Sequence, residues 1–115
     1  MADERLFEVH AKHVDGAVLV VASGEIDLSS SPELRAALRD PSARADTVVL
    51  DLRAVTFMDS SGLGVIVGQH KRAREEGFRF AVAVDGAENV ERILELSGLV
   101  SLLEILDGSD GLLGG

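Results

Sequence analysis

The chain has 115 residues, the size of one domain, and 46% of them are hydrophobic, enough to form a core without disulfides or a metal. It contains no cysteine, which excludes disulfides, thiolate metal sites and cysteine nucleophiles, and its net charge of −9 disfavours binding to nucleic-acid phosphates. The charged N-terminus and the absence of a long apolar run predict neither an export signal nor membrane insertion, so we expect a cytoplasmic protein.

The first elements form a predicted β-hairpin. Apolar and polar residues alternate through residues 6–13, a period of two that indicates a half-exposed strand. Asp15-Gly16 is a turn signal, and the apolar run 17–23 follows it directly. The two strands are therefore predicted to pair antiparallel.

A helix is predicted next, with Ser31 as its N-cap, Pro32 at its first position and Pro41 at its end. Periodicity and glycine positions then predict the remaining elements. In chain order they are a buried strand at 47–52, a helix that follows FMDSSG (57–62) and stops at Gly77, a strand at 78–84, a helix at 88–97 and a strand at 102–106.

The order β-β-α-β-α-β-α-β predicts a single α/β domain over residues 1–106, with a Gly-rich tail at 107–115. We expect a mixed, mostly parallel sheet of about five strands with helices packed on it. In such folds functional groups gather where strands end and helices begin. Asp27 and the motif FMDSSG (57–62) both fall at such positions.

The serine pair in this motif does not fit the known catalytic or nucleotide-binding patterns. A nucleophile elbow needs glycine two residues before and two after the serine, and neither Ser60 nor Ser61 has both. The run GLGVIVG (62–68) has Val67 where a dinucleotide-binding loop needs its third glycine. With no helical His pair for a metal, we expect no cofactor, no metal and no enzymatic activity.

Two interpretations of the motif remain. Asp59, Ser60 and Ser61 are all good helix caps, and a strand-to-helix junction needs one. A helix N-terminus also accepts anions, so a serine there is a plausible phosphorylation switch. The added charge would lie near the carboxylates of Asp27 and Asp59.

The segments VVLDLRAVTFMDSSGLGVIVG (48–68), GEIDLSSSPELRAAL (24–38) and LELSGLVSLLEI (94–105) resemble the signatures of STAS domains, specifically of the bacterial anti-sigma factor antagonists. The likeness runs from about Phe7 to Ile105. It departs at the C-terminus, where many relatives continue into an amphipathic helix and this chain has the Gly-rich tail.

This resemblance implies that an anti-sigma factor, acting as a serine kinase with ATP, phosphorylates Ser61, and that a PP2C-type phosphatase reverses the reaction. The unphosphorylated form would bind the anti-sigma factor and free a sigma factor. The residues that the resemblance assigns to the partner surface are Asp27, Asp59, Ser60, Ser61 and Gly62.

Two other classes remain compatible with the sequence. One is a STAS scaffold subunit, either of a stress-signalling assembly or of a membrane lipid ABC transporter. The other is a small hydrolase or nucleotide-binding enzyme, which would need the acid, base and nucleophile that the chain does not group together.

Overall fold

The computed structural model describes residues 6–40 and 45–106, which form a five-stranded sheet with three α-helices. The predicted order of elements is confirmed. The bounds are β1 Phe7–Val14, β2 Ala17–Ile26, α1 Ser31–Arg39, β3 Thr47–Met58, α2 Ser60–Glu76, β4 Arg79–Ala83, α3 Glu88–Ser97 and β5 Glu104–Leu106, with a 3₁₀ turn at Leu99–Ser101.

The sheet follows the chain, in the order β1-β2-β3-β4-β5. β1 and β2 pair antiparallel as predicted, and Asp15 and Gly16 both have positive φ, 45° and 80°, as a tight hairpin turn requires. The pairs β2–β3, β3–β4 and β4–β5 are parallel. The sheet is therefore mixed and mostly parallel, as the sequence predicts.

All three helices pack on one face of this sheet. Each connects neighbouring parallel strands, and each crossover moves in the same direction along the sheet; right-handed crossovers then place every helix on the same side. The main core accordingly joins helix side chains such as Leu34, Ile66 and Val90 to strand side chains such as Val20 and Leu50. On the other face, a small cluster is built from strand residues, with Val49, Ala81 and Ala83 at its centre.

That second face also holds a buried charge. Asp51 is 6% exposed and accepts two hydrogen bonds from the Arg53 guanidinium, both at 2.9 Å, and one from the Arg53 amide. Burial raises the pKa of Asp51, but the Arg53 hydrogen bonds and charge outweigh it, and the pKa lies below its usual value. The ion pair explains how β3 carries a buried carboxylate between the apolar residues Leu50 and Leu52.

β3 is six residues longer than predicted and runs to Met58. Between Val21 and Ile26 of β2, the pairing shifts register twice, and β3 carries the extra residue each time. Such bulges interrupt the alternation of side chains between the two faces. The segment after Leu52 therefore has no strand periodicity in its sequence, although it pairs with β2.

β2 also passes the predicted end at Ser23 and continues to Ile26. Gly24 has a φ of 90°, and a Cβ there would lie 2.0 Å from the carbonyl oxygen of Leu6. The next amide, of Glu25, donates to that same oxygen at 2.7 Å. Gly24 therefore allows an irregular strand to continue, where the sequence suggested a break.

The start of α1 corrects a second prediction. Ser31 is the first helical residue and is buried, and the N-cap position belongs to Ser30, whose side chain makes no capping bond. The hydroxyl of Ser30 is instead engaged in the preceding turn, as described below. α1 ends at Arg39; the predicted stop at Pro41 and the tail at 107–115 lie outside the described residues.

The last three elements agree with the predicted ones to within two residues. β4 covers 79–83 within the predicted 78–84, and α3 has the predicted bounds with Gly98 as its C-cap. β5 begins at Glu104, because the 3₁₀ turn takes up the residues before it and Leu103 is buried in the core.

Candidate functional site

The two segments that the sequence singles out meet at one edge of the sheet. β2 and β3 are parallel and remain paired up to Ile26 opposite Met58. Asp27 and Asp59 are the next residues of each strand, and the Asp59 amide donates to the Ile26 carbonyl at 3.1 Å. The two acidic loops thus begin side by side, as expected for the carboxyl ends of neighbouring parallel strands.

Asp59 is the N-cap of α2. Its Oδ1 accepts a hydrogen bond from the Ser61 amide at 2.8 Å, and its carbonyl accepts from the amides of Gly62 and Leu63 at 3.1 and 3.3 Å. Asp59 therefore accepts hydrogen bonds from three consecutive amides in the first turn of α2. Of the three candidate caps, Asp59 has this role.

The two serines are left with other properties. Ser60 is exposed and Ser61 is half-buried. Within the described residues, neither hydroxyl makes a hydrogen bond, whereas the Ser61 backbone amide is held by Asp59. Ser61 therefore combines a fixed backbone with an unbonded, partly accessible hydroxyl in the first turn of a helix.

Gly62 is required by packing. It is buried, and a Cβ at this position would lie 2.4 Å from Cγ and 2.7 Å from Sδ of Met58, and 2.9 Å from Cγ2 of Ile26. Glycine therefore lets the first turn of α2 approach the ends of β2 and β3 closely. A direct contact of Gly62 with a partner stays a prediction.

The Asp27 loop is organised by the serines that follow it. Asp27 Oδ1 accepts hydrogen bonds from the amide and hydroxyl of Ser29 at 3.0 and 2.9 Å, and from the amide and hydroxyl of Ser30 at 3.0 and 3.2 Å. The Ser30 hydroxyl accepts a hydrogen bond from the Asp27 amide at 2.9 Å, and it shares its single proton between Asp27 Oδ1 and the Glu25 carbonyl, which lies at 2.8 Å. The Ser29 hydroxyl, together with the other donors, lowers the pKa of Asp27 below its usual value of 3.8.

Sequence reasoning missed one residue of this region. The side-chain oxygen of Asn89, in the first turn of α3, accepts a hydrogen bond from the Met58 amide at 2.8 Å. It thereby ties the end of β3 to α3 immediately before Asp59. No local pattern signals this contact, because the two residues are 31 positions apart.

The geometry does not assemble a catalytic centre around the serines. His10 and His13 lie on β1, and His70 is nine residues after Ser61 on α2, about 13 Å along the helix axis. In the ranges 6–40 and 45–106, no three His, Asp or Glu residues are grouped as metal ligands. No helix in those ranges is long and apolar enough to cross a membrane.

Comparison with known proteins finds similarity along nearly the whole chain. The family model described as "STAS domain" matches residues 8–110. An anti-sigma F factor antagonist of Paenibacillus polymyxa is 36% identical over 102 residues, which cover 87% of this chain and 86% of the relative. An anti-sigma-B factor antagonist of Bacillus subtilis is 31% identical over 103 residues, 90% of this chain and 94% of the relative.

A solved structure agrees with the fold. The crystal structure of an anti-sigma factor antagonist from Mycobacterium paratuberculosis superposes with a TM-score of 0.80 at 27% identity, over 89% of this chain and 86% of that one. Family model, sequence relatives and fold all coincide on the region that contains Asp27 and Ser61. The chain therefore belongs to the STAS domain family.

Proposed function

We propose that this chain is an anti-sigma factor antagonist that phosphorylation of Ser61 switches off. The relatives that cover most of its length are named anti-sigma factor antagonists. In this proposal the unphosphorylated protein binds an anti-sigma factor that is also a serine kinase, and a sigma factor is released. A PP2C-type phosphatase restores the active form, and the exchange takes place in the cytoplasm.

The hydroxyl of Ser61 is the observation that carries the proposal. It is partly accessible and has no hydrogen-bond partner among the described residues, while its backbone is held by the Asp59 cap. A phosphoryl acceptor needs such a combination, because the kinase must align the hydroxyl with the γ-phosphate of ATP. Ser60 offers a hydroxyl too, but its amide receives no such bond from the cap.

The transfer itself needs no residue of this chain beyond the acceptor. The Ser61 Oγ forms a bond to the γ-phosphorus as the bond to the β–γ bridging oxygen breaks, and ADP leaves with that oxygen. A base of the kinase takes the hydroxyl proton. The chain contributes position, through the cap and through the close packing at Gly62.

The switch follows from charge. Phosphorylation adds about two negative charges at neutral pH, next to the Asp59 carboxylate and near the fixed charge of Asp27. Like charges about 4 Å apart near a protein surface repel each other by roughly 4 kcal/mol before screening by salt. In the complex the phosphoserine also faces the phosphates of the nucleotide just used. Repulsion from the nucleotide phosphates exists only in the complex, and the charges of Asp27 and Asp59 add to it, so the modified protein dissociates.

The test is a pair of substitutions at Ser61, with affinity for a candidate anti-sigma factor kinase from the same genome measured by calorimetry in the presence of ADP. Ser61→Ala removes the acceptor and keeps the neutral surface, so it should bind as tightly as the unmodified protein. Ser61→Asp places a carboxylate in the first turn and should bind at least about 100-fold more weakly, about 2.7 kcal/mol.

Ser60→Asp is the matched control, because it adds the same charge one residue away. It should weaken binding by much less than Ser61→Asp does. Equal affinity of Ser61→Ala and Ser61→Asp for the kinase would contradict the proposal, as would a Ser60→Asp protein that binds as poorly as Ser61→Asp.

A further inference from the structure

A groove between α1 and α2 has a charge opposite to that of the whole protein. It encloses about 330 Å³, and a second cavity of about 190 Å³ adjoins it across Leu38, Gln69 and Arg72. The residues that line the larger groove are Arg35, Leu38, Arg39, Val65, Gly68, Gln69, Lys71, Arg72 and Glu75.

Four cations line this groove, in a chain with 11 basic residues and a net charge of −9. Among the lining residues, Glu75 carries the one carboxylate. Within the described ranges, Arg35, Arg39 and Lys71 take part in no ion pair. The groove therefore has a local excess of positive charge, four cations against the one carboxylate of Glu75.

Arg72, unlike the other three cations, has a structural role in the packing of α1 against α2. Its guanidinium donates to the Leu38 carbonyl at 3.3 Å, to Gln69 Oε1 at 3.2 Å and to Glu76 at 3.2 Å, and it lies 5.7 Å from the Phe78 ring centroid. It thus joins α1 to α2. Arg35, Arg39 and Lys71 make no such bonds, so the architecture of the domain does not account for them.

Two of the free cations repel each other on α1. Arg35 and Arg39 are four residues apart on one helix, a spacing at which like charges repel. Beside them, Gln69 is 4% exposed, and its side-chain Nε2 is buried without a hydrogen-bond partner. The repulsion between the two arginines is relieved if an acidic group enters the groove, since carboxylates pair with guanidinium groups.

The position of the groove indicates what kind of anion fits it. It lies along the bodies of α1 and α2, where backbone amides are used within the helices, so recognition relies on the long side chains. Leu38 and Val65 add apolar contact area. Dispersed cations around an open, partly apolar groove suit several carboxylates on one chain better than a single compact phosphate.

We propose that this groove docks an acidic segment of a partner protein that carries leucine-like apolar residues between its carboxylates. Val65, the lining residue of α2 nearest to Ser61, is about 6 Å from it along the helix axis, whereas the cation Lys71 is about 15 Å away, so the charged part of the groove is separate from the phosphorylation site. The proposal does not depend on Ser61 being modified.

The probe is the capped peptide Glu-Leu-Glu-Glu-Leu-Glu-Glu, titrated into the isotope-labelled protein at low ionic strength and followed by NMR. Shifts should concentrate on α1 and α2, and Arg35→Ala and Arg39→Ala should each lower the affinity about five- to tenfold. Binding should also fall steeply as salt is added, because exposed charges are screened.

Arg74→Ala is the matched control: it removes an exposed cation from α2 outside the groove and should change the affinity less than about twofold. Ser61→Asp should bind the peptide as the unmodified protein does, which separates this proposal from the function proposed above. Circular dichroism checks that each variant is folded.

Four results would overturn the proposal. One is an absence of peptide shifts on α1 and α2, and another is an Arg74→Ala protein weakened as much as Arg35→Ala. The third is that pyrophosphate binds at the groove and the peptide does not, which would assign the site to a small anion. Self-association that Arg35→Ala abolishes, measured by sedimentation without peptide, would likewise overturn it in favour of a second copy of this chain.

Discussion

The two acidic loops at the edge of the sheet are held in different ways. Asp27 is fixed by its own neighbours, through four hydrogen bonds from Ser29 and Ser30. The Asp59 loop is fixed by distant parts of the chain. Its amide is bonded to Ile26, and the preceding amide is bonded to Asn89 of α3.

The Asp27 loop therefore keeps its structure through local hydrogen bonds, whereas the structure of the Asp59 loop depends on the packing of the whole domain. The Asp27 carboxylate is held ionised by local donors and gives the site a steady negative charge. Ser61 is positioned by contacts from β2, β3 and α3, so its position depends on how these elements pack together. Substitutions that disturb that packing should therefore affect the Asp59 loop and leave the Asp27 loop intact.

The largest effect on folding should come from Gly62→Ala. The new Cβ would lie 2.4 Å from the buried Met58 side chain, and such overpacking lowers the free energy of unfolding by about 1–3 kcal/mol. Gly64→Ala is the control on the same helix, where a Cβ meets nothing within 4 Å, and it should raise that free energy by about 0.5–1 kcal/mol.

Urea denaturation of the two variants measures both changes. The opposite signs matter most, since both substitutions make the same chemical change two residues apart. Equal stability of Gly62→Ala and Gly64→Ala would show that the close approach of α2 to β2 and β3 is not a constraint on the site.

A smaller effect is expected from Asn89→Ala. It removes the acceptor of the Met58 amide and should lower the free energy of unfolding by about 0.5–1.5 kcal/mol. Hydrogen exchange should accelerate at the Met58 and Asp59 amides and stay unchanged at Ser29 and Ser30. Asn89→Asp keeps an acceptor oxygen and should restore protection; loss of protection in the Asp27 loop would contradict the distinction between the two loops.

The smallest effect concerns the charge of Asp27. Ser29→Ala removes the donor that lowers its pKa most, so the pKa should rise toward 3.8, as followed by NMR titration of the carboxyl carbon. Because the folded pKa is depressed, the stabilisation from Asp27 is present above its unfolded pKa and is lost as the pH falls through the folded value. Ser97→Ala, at the end of α3, is the control and should leave the titration of Asp27 unchanged.

Much of this architecture was predictable because it depends on local patterns. Glycines in turns and helix ends, the alternation in β1 and the apolar run of β3 specify the elements and their order. The motif around Ser61 also predicts a helix start, and Asp59 confirms it.

What the sequence did not predict depends on tertiary contacts. The bulges in β3 remove the strand periodicity from its last six residues. Gly24 lets β2 continue by approaching the Leu6 backbone. The contact of Asn89 with Met58 exists only once α3 has packed on the sheet. The role of Ser30 in the Asp27 turn could have been predicted from the sequence, because an aspartate followed by serines two and three residues later is a known turn pattern.

The central claim is that Ser61, and not Ser60, accepts the phosphoryl group. The direct measurement is incubation with a candidate anti-sigma factor kinase from the same genome and ATP, followed by fragmentation mass spectrometry of the peptide that contains both serines. We expect one phosphate, on Ser61, and none in the Ser61→Ala protein. A phosphate on Ser60, or an unmodified peptide with a kinase that is active on a known substrate, would contradict the account.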